Sequence, residues 1–188
     1  MNKLKIIGNP TILGDLDFLE NFRFPNKRKF PISYKRFVKE YGYGKALGGW
    51  FIYIPMGNYG DSWLEQNPLF KERFEDVLDW DEEIVDMILE PDGSRELMQK
   101  CEPFAKSEDG SYLFWDIESQ PIEEEFDIYL TDFSGLGVRK VATSIDELFD
   151  KMTDKNYIVG DLIYDAAIYD GLNTFLDDLE FYKKWLPK

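Results

Sequence analysis

Phe104-Ala105-Lys106-Ser107-Glu108-Asp109-Gly110-Ser111-Tyr112-Leu113-Phe114-Trp115-Asp116 reads as two β-strands about a tight turn. Asp109-Gly110 is a hairpin signal, because both residue types tolerate the positive φ that two-residue turns demand. Phe104 to Lys106 leads into the turn, and the aromatic run Tyr112 to Trp115 leaves it. Aromatic side chains favour a pleated, half-buried surface, so a sheet is expected here.

Moving towards the C-terminus, Pro121 separates this hairpin from a second strand pair. Phe126 to Thr131 alternates, with Phe126, Ile128 and Leu130 on one face and Asp127 and Tyr129 on the other. A Ser134-Gly135 turn and a return strand from Leu136 to Ala142 are expected next. Ser144, followed three residues later by Glu147, is a capping box that predicts a helix running to about Met152. Ile158 to Asp170 reads as another helix with Gly171 beyond its end, and Asn173 is expected to start a last one that stops at Pro187.

Towards the N-terminus, Pro31 suits the first turn of a helix, where its missing N–H would have had no partner. Tyr34, Phe37, Val38 and Tyr41 follow at three- and four-residue spacing, the stripe of a helix laid on a core. Gly42 and Gly44 are expected to end that helix through positive φ. Leu47 to Ile54 reads as a strand ended by Pro55, and Leu16, Phe18, Leu19 and Phe22 as a short helix after Asp15. Asn67-Pro68 predicts the start of a helical insert with an apolar stripe of Phe70, Phe74, Val77, Ile84, Val85 and Ile88, interrupted near Trp80-Asp81. Its other face is acidic, and Pro91-Asp92-Gly93 ends it. The order is helix, strand, helical insert, hairpin strands, helix. It predicts a single α+β domain over residues 1–188, with a mixed or largely antiparallel sheet flanked by helices. Residues 30–152 hold the core motifs, 1–29 a preamble, and 154–188 a C-terminal helical extension.

Three signatures in this order carry a resemblance. They are Phe30-Pro31-Ile32-Ser33-Tyr34 with Phe37 and Tyr41-Gly42-Tyr43-Gly44, then Phe104 to Asp116, then Val141-Ala142-Thr143-Ser144-Ile145-Asp146-Glu147-Leu148-Phe149. Together they resemble the SUKH superfamily, bacterial toxin-immunity proteins that also take in yeast cell-wall regulators. The resemblance implies a non-enzymatic protein that neutralises a cognate toxin, many of which in this family are nucleases. It covers about Phe30 to Met152. Regulatory or scaffold modules of the fungal kind are the alternative it leaves open.

Composition bounds the chemistry. The chain has no histidine and one cysteine, Cys101, which removes Ser-His-Asp and Cys-His catalysis, His-bearing zinc sites and any intrachain disulfide. Carboxylate pairs such as Asp109 with Asp116, or Asp127 with Asp132, are the remaining enzymatic reading, without a nucleophile beside them. Gly44-Lys45-Ala46 lacks the spacing of a phosphate loop, and no cofactor is expected. No apolar run approaches a membrane span or a secretory signal, so a cytoplasmic location is expected.

Net charge is −15, unevenly spread: residues 1–45 carry 10 Lys+Arg against 4 Asp+Glu, leaving 12 against 33 in residues 46–188. Such a surface repels phosphates, which argues against nucleic acid and anionic membrane and for a basic protein partner. Lys27-Arg28-Lys29 reads as a solvated loop that balances nearby carboxylates. The expected partner surface joins Asp79, Asp81, Glu82, Glu83 and Asp86 to Glu123, Glu124, Glu125 and Asp127, the densest carboxylates outside the three signatures. Glu123 to Glu125 cannot all face one metal, because side chains alternate in extended chain. Trp63 and Trp80 fit either an interface or the core. The pattern leaves the oligomeric state open.

Overall fold

The hairpin is the middle of a six-stranded antiparallel sheet. The computed structural model describes residues 5–6, 12–46, 49–133, 137–154 and 173–174. Strands β2 (Gly44–Ala46), β3 (Trp50–Ile52), β4 (Glu102–Ser107), β5 (Tyr112–Asp116), β6 (Asp127–Thr131) and β7 (Val138–Ala142) lie side by side in that order. Gly110 takes φ +96° in the β4–β5 turn. Leu113 faces Leu130 and Trp115 faces Ile128 across β5 and β6. A separate two-stranded parallel ladder pairs β1 (Lys5–Ile6) with β8 (Asn173–Thr174).

Successive residues of a strand point to opposite faces, and here both faces are covered. On one face Trp115 meets Tyr34 of α2 (Ile32–Tyr41), with ring centroids 4.9 Å apart, and stacks on Phe104 at 4.1 Å. On the other, Phe114 and Tyr112 meet Phe74 of α3 (Trp63–Leu78) edge-on at 5.6 and 5.4 Å. This explains why β5 reads as a nearly continuous apolar run instead of alternating, and why almost every residue of β4 is buried as well. Phe37 of α2 packs on Phe149 of α6 (Ile145–Met152), which lies on the same side as α2. Tyr34, Phe37, Trp50, Ile52, Phe104, Phe114, Ile128, Leu130 and Leu148 are all buried in one core, as expected. Each such side chain is worth roughly 1.5–3 kcal/mol in apolar burial. The chain is an α+β fold.

Three local signals are resolved in detail. Ser144 caps α6 by accepting from the Glu147 N–H at 3.1 Å. Glu147 reaches back one residue further than a capping box requires, to the Thr143 N–H at 2.8 Å and hydroxyl at 2.6 Å. Gly42, at φ +72°, ends α2 where a side chain would collide with the Ile12 carbonyl. Asp15 caps α1 (Leu16–Asn21) through the Phe18 N–H.

Several expectations are corrected. Pro31 is the N-cap of α2, one position before the first helical residue. Gly44 opens β2 and does not end the helix, so a short strand precedes β3 where a single longer one was expected. α3 starts at Trp63, not at Asn67, because Ser62 caps it and holds the Met56 N–H at 2.9 Å as well. Pro68 therefore lies inside the helix. Asn67 is buried with its amide on Glu102 and on the Pro103 carbonyl, at 3.0 and 2.9 Å. A third helix of the insert, α5 (Arg95–Lys100), begins at the Ser94 cap. Asn173 belongs to a strand and not to a helix. The Ser134-Gly135 turn, Leu136 and the expected Ile158–Asp170 helix lie outside the described residues.

The outer edge of β7 is covered at its start. The backbone of residues 90–92 runs along it, with the Val138 N–H on the Glu90 carbonyl at 3.2 Å and the Asp92 N–H on the Val138 carbonyl at 3.1 Å. Gly137, at φ +72°, lies so close to the Glu90 carbonyl that a Cβ would overlap it. Gly93 would likewise push a Cβ to 2.5 Å from the Leu89 carbonyl. Only glycine lets the two backbones cross there.

Candidate functional site

The helical insert turns a corner between α3 and α4 (Glu82–Leu89). Asp79 closes α3, and Asp81 caps α4 by accepting from the Glu83 N–H at 3.1 Å. Glu82 and Glu83 fill the first turn of α4, where the helix N-terminus favours negative charge. Val85, Ile88 and Leu89 point into the core. Asp79, Asp81, Glu82, Glu83 and Asp86 all face outward. Asp86 lies 3.8 Å from Arg95, a loose pair, and among the described residues Glu82 and Glu83 meet no cation.

Trp80, between the two helices, is 41% exposed with the Arg73 guanidinium over its ring at 5.5 Å. Ile84 is 45% and Met87 67% exposed. Ile84 was expected in the core stripe, but a helix advances 100° per residue and Val85 takes the inward position instead. The carboxylates of this corner thus sit beside exposed apolar side chains.

The second acidic stretch has a different fate. Glu123 and Glu124 are exposed and line a cleft of about 340 Å³ with Arg23, Lys27, Arg28 and Lys29. The basic loop thus shares a cleft with two carboxylates, and Arg28 is not a solvated member of it. Its guanidinium donates to the carbonyls of Ile117, Ser119 and Glu125, and lies 4.1 Å above the Phe126 ring.

Glu125 is withdrawn from the surface at 5% exposure. It accepts from the Ser33 N–H at 2.8 Å and the Ser33 hydroxyl at 2.7 Å, and Ser33 Oγ accepts in turn from the Ile145 N–H. Burial raises its carboxyl above the usual range, although the Ser33 bonds pull the other way. Asp127 is buried too, with one oxygen 2.8 Å from Lys140 and the other without a hydrogen-bond partner among the described residues. Neither residue can belong to a contact surface in this fold. Together these groups splice a loop to the N-termini of α2 and α6.

Other chemistry finds little geometric support. Asp109 lies in the turn and Asp116 at the far end of β5, a strand length of roughly 13 Å or more apart. Tyr129 is pushed up to about 12 by burial and by Asp127, Asp116 and Asp92, which suits a phenol that stays protonated. Cys101 is buried, and its thiol is raised by that burial. Among the described residues no group of three acidic or sulfur ligands is placed to hold a metal. Among them, too, no helix is long and apolar enough to cross a membrane. Trp63 is buried, donating to the Pro103 carbonyl at 3.0 Å, so of the two tryptophans left open only Trp80 reaches the surface.

Of the two expected acidic stretches, the α3–α4 corner is the one whose carboxylates all face outward. Comparison with family models, curated proteins and solved structures finds no match.

Proposed function

We propose that this chain is a protein-binding domain of the SUKH immunity type, which neutralises a basic toxin domain through its α3–α4 corner. One observation carries the proposal: Glu82, Glu83 and Asp86 stand outward on a helix whose core contacts are made by other residues. They sit in a chain of net charge −15, beside an exposed tryptophan. A nuclease toxin presents a basic surface to the phosphate backbone, and a row of carboxylates competes for that surface. Long-range attraction of this kind speeds docking, up to ~10⁸–10⁹ M⁻¹s⁻¹ at low salt. The inhibitor then works by occupancy, covering the substrate channel without any reaction of its own.

The test is association kinetics with the toxin domain encoded beside this gene, at low and high salt. The Glu82→Lys/Glu83→Lys variant is expected to associate at least about tenfold more slowly at low salt and to lose most of its salt dependence. Cells carrying it should lose protection. Unchanged kinetics and intact protection would refute the acidic-corner reading.

A further inference from the structure

We infer that the exposed patch of Trp80, Ile84 and Met87 seats an amphipathic helix of the partner, its apolar stripe on these side chains and its Lys/Arg flank against Glu83 and Asp86. The inference rests on the protein-binding reading above and adds the shape and chemistry of what binds.

The argument starts from spacing. Ile84 and Met87, three residues apart in α4, lie one above the other on its outer face, and Trp80 stands just ahead of that helix, one residue before the Asp81 cap. The helical part of this patch covers about one turn, roughly 5 Å. All three side chains are more than two-fifths exposed, while the neighbouring Val85, Ile88 and Leu89 already complete the core contact. Exposure of the three therefore has no packing role in the fold. The cation over Trp80 holds one face of its ring and leaves the side chain standing at the helix junction. Tryptophan and methionine are also the residue types that most often anchor protein contacts, methionine because its flexible thioether adapts to the surface it meets.

Charge selects the occupant. Glu83 lies one turn before Met87, and Asp86 follows Glu83 by three residues, so an acidic row runs alongside the apolar one. A small apolar patch with an acidic row on its flank is complementary to a helix with apolar anchors at i and i+3 or i+4 and with basic residues beside them. A second copy of this chain would instead bring the same carboxylates together under a net charge of −15 on each partner.

The probe is a synthetic peptide of about 18 residues, with leucine at the i, i+3, i+4 and i+7 positions of each pair of turns and lysine elsewhere. A scrambled peptide of equal composition is the control. Binding is followed by calorimetry and by the fluorescence of Trp80, with Trp80→Phe as the blank. The ordered peptide should bind at least about tenfold tighter than the scrambled one. Ile84→Ser/Met87→Ser should erase that difference and leave the salt slope intact, whereas Glu83→Lys/Asp86→Lys should flatten the slope. Both pairs are exposed, and circular dichroism confirms that the variants fold.

Equal binding of the two peptides, or indifference to Ile84→Ser/Met87→Ser, overturns the helix seat. So does a dimer in sedimentation that Met87→Ser dissolves, which would make a second copy the occupant. The functional reading fails separately. If the peptide behaves as expected while the toxin ignores every variant, the seat stands and the immunity assignment falls. If the toxin responds only to charge reversal, the reverse holds.

Discussion

Two runs of carboxylates that look alike in the sequence do opposite things in the fold. Residues 79–86 carry five acids that face outward from a helical corner, with core contacts made by Val85, Ile88 and Leu89 between them. Residues 123–127 carry four, of which Glu125 and Asp127 are buried and bonded to Ser33 and Lys140. The difference is not in local composition. It lies in a serine 92 positions away that supplies two donors to Glu125, and in a lysine across the β6–β7 ladder. Carboxylate density alone is therefore a poor guide to a binding surface; what matters is whether the fold already uses the charge.

Variants can break this contrast. Glu125→Ala should have the largest effect, about 3 kcal/mol lost in chemical denaturation, because the Ser33 N–H and hydroxyl are left buried without an acceptor. A loss below about 0.5 kcal/mol would place Glu125 with the outward acids.

The pH dependence sharpens the same point with opposite signs. Glu147 is raised by burial, but its bonds to Lys151 and Thr143 outweigh that and bring it down to about 2. A lowered folded value means stability present above the ordinary pH of about 4.5 and lost as pH falls towards 2. Glu147→Gln should therefore cost about 1–2 kcal/mol at pH 7, after allowing for solvent screening, and almost nothing near pH 2. Glu125 is raised, so its ionised form is the costly one: its contribution is full below pH 4.5 and lost as pH rises through the raised value. Glu125→Gln should then be less damaging at pH 7 than at pH 4, judged by thermal unfolding at both.

Ser144→Ala should cost ~0.5–2 kcal/mol through the lost cap and leave partner binding intact in the folded protein. The smallest change is expected for Glu82→Lys/Glu83→Lys, no more than about 1 kcal/mol, from the lost negative charge at the α4 N-terminus. A larger shift would mean that these acids, like Glu125, support the fold.

What was legible in the sequence was local. Asp109-Gly110, Ser144 with Glu147 and the Tyr34–Tyr41 stripe each place an element within a few residues of its observed bounds. Local signals also misled where two competed. Asn67-Pro68 has the pattern of a helix start, yet Ser62 caps five residues earlier because it also serves the Met56 backbone. β2 is three residues long and opens on Gly44, too short for alternation to register. On the surface, Asp79 to Asp86 could be read as a solvated face from spacing alone. The burial of Glu125 and the bonding of Arg28 to carbonyls about 90 residues away could not, since no periodicity encodes a partner on another element. Ile84 and Met87 were within reach: placed on a helical wheel with Val85, Ile88 and Leu89, they fall outside the inward arc.

The crossing of residues 90–93 over β7 has a consequence for how the molecule behaves in a crowded solution. A sheet edge with bare N–H and C=O groups recruits strands from other chains, and this sheet is rich in the aromatic segments that aggregate. Here the stretch leaving α4 occupies that edge, and Gly93 and Gly137 let it lie close enough to bond. The seal and the acidic corner are parts of one continuous piece of chain. Any outward movement of α4 would therefore also lift the cover from the sheet, which ties the position of this helix to the protection of that edge.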